Sequence, residues 1–471
     1  LMWRRTLNSW GFSPLAQIDR TNVKDMQLAW SLPLNKGSVQ EGTPLVHDGK
    51  LYMPHPGDVI TAHDAATGNE LWRFSRQMPE DLGDYIPATE TERALALYGD
   101  TIIYTSNDDY LIGIDANTGA EKCATLILDY RTHPAQQSSG AVVINGKAIS
   151  GRGCMPAAGP DACVITAHDA ATGKELWRLN TIQKPGEGED TWGGLPWESR
   201  WHVGAWMMPS YDPELDLIYM GTSVTAPAPK FLLAGNDNKY LYHNSTLAID
   251  PDDGHIVWHY QHLVDHWDLD HPFERLLVDT GVAPDATEVA WFSPDIEQGK
   301  TYKVLTGIPG KTGVVYTLDR ETGKFLWARP TVLQNVVASI DGKTGEATVN
   351  PAALFSAKGD MAEICPALTG GKNWWAGAYS PQTNMMYYGL QNTCSDVTVT
   401  LDKPDVEALY GTSGRDKIAP GARSLGTVYA ISAETGKTAW TFDTNGTAMS
   451  MVTTGGGLVF GGDIDGNFRA F

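Results

Sequence analysis

The stretch ITAHDAATGNELWRF at positions 60–74 returns almost unchanged as ITAHDAATGKELWRL at 165–179. Looser copies stand at 111–123 (LIGIDANTGAEKC), 246–258 (TLAIDPDDGHIVW), 315–327 (VYTLDRETGKFLW) and 428–440 (VYAISAETGKTAW). They share one template: apolar alternation, Asp or Ser, two variable residues, a Thr/Asp-Gly turn, a short spacer and, in most copies, Trp. Each copy reads as a strand, a tight turn in which Gly accepts positive φ, and a second strand, which is a β-hairpin.

The turn glycines fall at 68, 119, 173, 254, 323 and 436, and most intervals suit a unit of four short strands. Such a period, with an aromatic at a fixed place, is the signature of a β-propeller blade. Trp72, Trp177, Trp258, Trp327 and Trp440 are then docking residues, each burying its ring on a neighbouring blade with the indole N–H satisfied. The long gap from 323 to 436 predicts a hidden blade around GAYSPQTNMMYYGL (377–390). The closing GGDIDGNFRAF begins a further copy and stops before its turn, which predicts a chain continuing past Phe471. The expectation is all-β: one propeller domain over 1–471 with about eight blades.

Composition agrees with a globular β protein: 42% hydrophobic and 19% charged residues, with 49 glycines and 27 prolines for turns. A net charge of −21 argues against nucleic acid and anionic membrane surfaces as partners. There is no apolar run of spanning length and no apolar signal core at LMWRRTLNSW, so the chain reads as mature, soluble and not membrane-inserted. Of five cysteines, Cys154 and Cys163 bracket a Gly/Pro-rich loop, and Cys365 and Cys394 flank another. Two bridges with Cys123 free, and hence an oxidising compartment, are expected; five reduced cysteines are the alternative. No C-x-x-C-H occurs, which removes a covalent haem site.

From FSPLAQIDRTNVKDMQLAWSL (12–32) to TTGGGLVFGGDIDGNFRAF (453–471) the chain resembles the pyrroloquinoline quinone (PQQ) dependent alcohol dehydrogenases, whose eight-bladed propellers carry tryptophan-docking repeats. The motif DHWDLDHP (265–272) is similar to the family's W-D-x-D stretch, and the resemblance makes Asp268 the catalytic base that takes the substrate hydroxyl proton. Glu41 in EGTPLVHDGKLY matches a PQQ-binding Glu, and Arg93 in ERALALYGDTIIY an Arg that pairs with the cofactor's carboxylates. Lys311 in GIPGKTGVVYTLD matches a lysine that donates to the quinone oxygens, giving it a catalytic as well as a cofactor-binding role. Trp206 in HVGAWMMPSYDP matches the Trp under the planar ring, and GGKNWWAGAYSP adds Asn373 and Trp374 as cofactor contacts.

Three departures limit the carry-over. The family often has two adjacent cysteines before the position of Arg93; here the segment is DYIPATETER, so residues near Ile86 to Ala88 are expected to cover that face of PQQ. The family's metal is held by a Glu, an Asn, the catalytic Asp and PQQ oxygens. Here the Glu motif gives way to the loop 154–163, and the Asn position falls near Val224 and Thr225 in GTSVTAPAP. Asp268 and Asp270 are the remaining metal candidates, and Ca2+ with an altered shell is preferred over a lanthanide, which would want the missing Glu. Finally, a family Trp has no counterpart in TNGTAMSMVTTGGGLVF, where Ala448 to Ser450 stand, suggesting a roomier pocket.

The resemblance thus implies a periplasmic quinoprotein that oxidises an alcohol (a polyol, a sugar or a bulky secondary alcohol) and passes electrons to a cytochrome c, for which an acidic surface suits a basic partner. A non-catalytic propeller scaffold for assembly or binding is the competitor. A glycan-cleaving propeller, which needs paired carboxylates facing one cleft, ranks last, on the expectation that Asp268 and Asp270 point apart.

Overall fold

The computed structural model describes residues 2–34, 41–86, 91–447 and 449–471. The chain is almost entirely strand and loop, its helical turns being single 3₁₀ segments such as Lys230–Leu232. Each of the six hairpins is the outer half of a four-stranded antiparallel unit. The first runs Leu45–His47, Lys50–His55, Val59–Asp64 and Glu70–Ser75 in sheet order, and the fifth carries Trp291–Phe292 as an extra edge strand. The seventh joins Val452–Thr454, Val459–Gly462 and Phe468–Ala470 to Phe12–Ser13, which pairs in parallel with Val452–Thr454 and so ties the two ends of the chain together.

Among the described residues there are thus seven blade sheets. The stretch 377–390 is not a blade of its own. Its strands Ala378–Ser380 and Met385–Gln391 are the inner half of the sheet that the 426–444 hairpin completes. The long gap is filled instead by an insertion: the hairpin Val337–Ile340 and Ala347–Val349, and the three-stranded sheet of Met361–Ile364, Thr393–Val399 and Thr412–Ile418. Apolar side chains of that insertion, Ile364, Val397 and Val399 among them, join the core cluster of the neighbouring blades.

The template has a local cause. In the turns at Asp64, Asp115, Asp169 and Asp319 the carboxylate accepts the backbone N–H and the hydroxyl of the Thr three residues on, as at Thr67. A bulge precedes every one of the six turns, between Ala62 and His63 in the first, which tightens the twist of each outer pair. The glycine then does two things. Gly254 holds φ +81°, and a Cβ there would lie 2.5 Å from the Trp177 ring. Trp30, Trp72 and Trp258 likewise lie flat on Gly68, Gly119 and Gly323. Indole N–H groups of Trp72 and Trp177 donate to Ala116 and Pro251 carbonyls of the next blade, whereas those of Trp258 and Trp327 find no acceptor among the described residues. Burial of the ring, not the hydrogen bond, is therefore the constant part of docking.

Both expected disulfides form, Cys154–Cys163 and Cys365–Cys394, and Cys123 is free. Among the described residues no helix is long and apolar enough to cross a membrane.

Candidate active site

The loop 265–272 is fixed by its own odd-numbered residues. Asp265 accepts the N–H groups of Trp267 and Leu269 at 3.0 and 2.8 Å. Trp267, without solvent exposure, donates its indole N–H to Ala353 in the insertion, and the Leu269 carbonyl accepts from Asn244 and pairs with His271. Every odd position is thereby committed to the interior, which leaves Asp268 and Asp270 to one side.

That side faces Lys311, whose ammonium stands 2.8 Å from Asp268 Oδ1 and 3.5 Å from Asp270 Oδ2. The two carboxylates therefore converge on one cation, which corrects the expectation that they point apart: residues two positions apart share a face of an extended segment. Lys311 is placed by its backbone, its N–H on the Asp270 carbonyl and its own carbonyl on the N–H of Gly371. Gly310 before it leaves no room for a Cβ, which would meet the His271 ring at 2.3 Å.

Electrostatics follow from this packing. Burial pushes the Asp268 carboxyl up to about 7, against the pull of Lys311 and with the push of Asp270. Burial also works against the Lys311 ammonium, but Asp268 and Asp270 outweigh it and hold its pKa above the ordinary lysine value. The Tyr410 hydroxyl hydrogen-bonds Asp268, and burial, then the charges of Asp268 and Asp270, push its pKa up. A single parallel bridge to Ala228 anchors Tyr410. Asp270 has its other oxygen on the Val224 N–H at 2.9 Å. Two residues beyond the Ala226–Ala228 stretch, Lys230 has no solvent exposure and donates to the Thr225 carbonyl at 3.0 Å; burial draws its pKa down to about 8 while Asp265 and Asp270 oppose.

A second group gathers around Trp206. Arg93, buried, forms a close ion pair with Glu41 and donates to the Ser138 carbonyl at 3.0 Å. Burial pushes Glu41 up and Arg93 down, each opposed by the other's charge. The guanidinium carbon lies 4.8 Å from the centre of the half-buried Trp206 ring, and Nε of Arg93 has no partner among the described residues. Edge-on to Trp206 is Phe273, itself capped at 4.3 Å by the ammonium of Lys372. Lys372 and Glu274 form a fully buried ion pair at 2.9 Å. Trp374 borders the same apolar cluster as Trp206. Asn373 spends its side chain locally, donating to the Thr369 carbonyl and accepting from the Trp374 N–H, so its part is to shape the turn that carries Trp374.

Of the segment expected to cover the cofactor, Ile86 is fully buried against Leu82 and Tyr130, and Pro87 and Ala88 lie outside the described residues. Ala448 also lies outside them, while Ser450 accepts the Ala376 N–H and the Met449 side chain is 43% exposed. Sequence reasoning missed Tyr410, Lys230 and the Lys372–Glu274 pair. Tyr410 sits in the insertion, where no repeat template gives its position, and Lys230 carries no motif, whereas Lys372 stands inside GGKNWWAGAYSP beside the two residues that were named.

Comparison with known proteins follows the same lines. The family model for PQQ glucose/ethanol/alcohol dehydrogenase β-propeller domains matches residues 1–351. The quinohemoprotein alcohol dehydrogenase ADH IIB of Pseudomonas putida is 31% identical across 99% of this chain and 67% of its own length. A europium-containing methanol dehydrogenase superposes with a TM-score of 0.87 at 25% identity, covering 100% of this chain and 83% of that one. The quinohemoprotein alcohol dehydrogenase of Comamonas testosteroni gives 0.84 at 26% identity, over 99% of this chain and 70% of that one. The chain spans about two-thirds of the length of the first curated relatives, 67% and 66% of two of them.

Proposed function

The chain belongs to the PQQ-dependent glucose/ethanol/alcohol dehydrogenase family, and from that premise we propose that it binds PQQ on the propeller and oxidises an alcohol to an aldehyde or ketone. The observation that carries the reading is the convergence of Asp268 and Lys311 at 2.8 Å in a buried recess, with the Arg93, Glu41 and Trp206 group as a second cluster. These residues fit the cofactor's chemistry. Arg93 has a buried, unpartnered Nε–H for a carboxylate, and Trp206 offers a half-buried indole to a flat ring. When bound, PQQ supplies the two-electron acceptor that takes the carbinol hydride.

The chain's own groups do the rest. Arg93 and Glu41 read the polar edge of the cofactor, and Trp206 sets its plane, with Trp374 and the turn made by Asn373 beside it. Asp268 accepts the substrate hydroxyl proton as a carboxylate base that Lys311 and Tyr410 hold in one orientation. Lys311 presents a fixed positive charge where oxygen charge builds up. The metal expected beside Asp268 and Asp270 does not fit the side chains present. Val224 and the Cys154–Cys163 loop stand where an Asn and a Glu are wanted. Among the described residues three ligand side chains converge, within 4.8 Å, only at Asp250, Asp253 and His255 in an exposed turn.

The finer reading is a polyol, sugar or bulky secondary alcohol as substrate, a cytochrome c as electron acceptor and a periplasmic setting. Ala448 to Ser450 standing where the family has a Trp favours the first, a net charge of −21 the second and two disulfides the third. Loss of the family's Glu and Asn favours a second reading, a propeller that binds without catalysis. A dye-linked assay separates the two. Purified protein mixed with PQQ is expected to hold the quinone's absorbance and to reduce an artificial acceptor with at least one of these alcohols. Asp268→Asn is expected to keep the absorbance and lose turnover. A protein that neither takes up PQQ nor reduces the dye is the scaffold, and turnover retained by Asp268→Asn removes Asp268 as the base.

A further inference from the structure

Two carboxylates held on one side of a loop repel unless a cation stands between them. The usual solution in a hard-oxygen site is a metal, and a divalent ion of the calcium type asks for six to eight oxygens. Here Lys311 already bridges Asp268 and Asp270, at 2.8 and 3.5 Å. The second oxygen of Asp270 is taken by the Val224 N–H, and Val224, fully buried, offers no side-chain oxygen in return. Across the recess the carbonyl of Cys154 accepts from His202 Nδ1. A second ammonium, that of Lys230, has no solvent exposure and donates to the carbonyl of Thr225, the residue after Val224; the carboxylates of Asp265 and Asp270 act on it as well. A metal placed beside these carboxylates would meet two like charges and too few free oxygens.

We infer that the site in this chain binds neither Ca2+ nor a lanthanide: Lys311 already answers the charges of Asp268 and Asp270, and the oxygens a metal would need beside them are absent or spent. The inference deepens the function proposed above and rests on it for where the quinone lies. The reaction centre keeps a fixed cation on the chain itself, which cannot be stripped by a chelator.

The test is metal binding by the intact chain, read separately from activity. Protein dialysed against EDTA is titrated with Ca2+ and with La3+, alone and after mixing with PQQ, by calorimetry, melting temperature and metal content after gel filtration. Flat titrations, no rise in Tm and PQQ uptake equal with EDTA or Ca2+ are expected. Stoichiometric binding of either metal that disappears in Asp270→Ala overturns the inference. Binding that survives Asp270→Ala belongs elsewhere, as at Asp250, Asp253 and His255, and upholds it. If PQQ does not bind under any condition the proposed function fails, while the titration of the chain alone still decides the question of the metal.

Discussion

At the scale of the residue, Asp268 is defined by what holds it. Lys311 and Tyr410 both reach it, so its carboxylate has one orientation and part of its charge is answered before any substrate arrives. A hydrogen bond to a charged group contributes about 1.5–3 kcal/mol. Tyr410→Phe, which removes the hydroxyl and keeps the ring, is expected to lower kcat/KM about tenfold or more. The measurement is steady-state dye reduction beside a PQQ titration: an unchanged kcat/KM would show that Tyr410 only fills space. Asp268, Asp270 and Lys311 were legible in the sequence because each lies in a short contiguous motif. Tyr410 was not, since its partner is brought to it by the insertion, and no local pattern records which loop tip a tertiary contact selects.

At the scale of the element, the hairpin is where sequence and structure agree best. Asp, Thr and Gly of the turn satisfy one another within a few residues, so the template is written in local chemistry. The docking of one blade on the next is written in the same glycine, whose missing Cβ is the seat of the preceding Trp. Gly254→Ala should therefore cost more than an ordinary left-handed Gly→Ala change. It adds the strain at φ +81° to a Cβ 2.5 Å from the Trp177 ring, which has to shift. A loss of about 2–4 kcal/mol is expected, taking about 1 for the backbone and 1–3 for overpacking. Gly421→Ala, where φ is +78° and no atom lies within 4 Å, carries the backbone part alone. Equal losses in urea unfolding would mean that the indole gives way freely and docking does not depend on the seat. The same local grammar also misleads. DGKTGE at 341–346 makes the same Asp turn, Asp341 accepting from Lys343 and Thr344, yet belongs to the insertion hairpin and not to a blade. A turn motif specifies a turn, and only the strands around it specify a blade.

At the scale of the whole molecule, the sequence announced a propeller but misplaced one blade, because the period counts turns while the sheet is decided by which strands pair across a long insertion. What no period could show is the charge sealed between blades. Asp58 is 1% exposed, and its two oxygens accept from the backbone and side-chain N–H groups of Asn107 at 2.9 and 2.6 Å. Burial pushes its carboxyl up to about 7; Asn107 and Arg76 pull it down, and Asp108 adds to the rise. Glu92, also buried, feels the same charge, and so does Tyr104. The sign follows from linkage: between pH 4 and 7 the folded protein holds a proton that the unfolded chain has released, so stability falls as pH rises through that window and levels off above it. The share due to Asp58 is on the order of 4 kcal/mol, each pKa unit contributing about 1.4. Asp58→Asn cannot ionise, and the Asn107 amide, whose Oδ1 is without a partner, can turn over to pair with it. The variant should thus be less stable than the native chain near pH 4, or equal to it, and more stable at pH 8. Urea midpoints at the two pH values measure the difference; a gap between variant and native chain that stays constant with pH would mean that Asp58 is ionised in the folded state at both, and that Arg76 and Asn107 outweigh its burial.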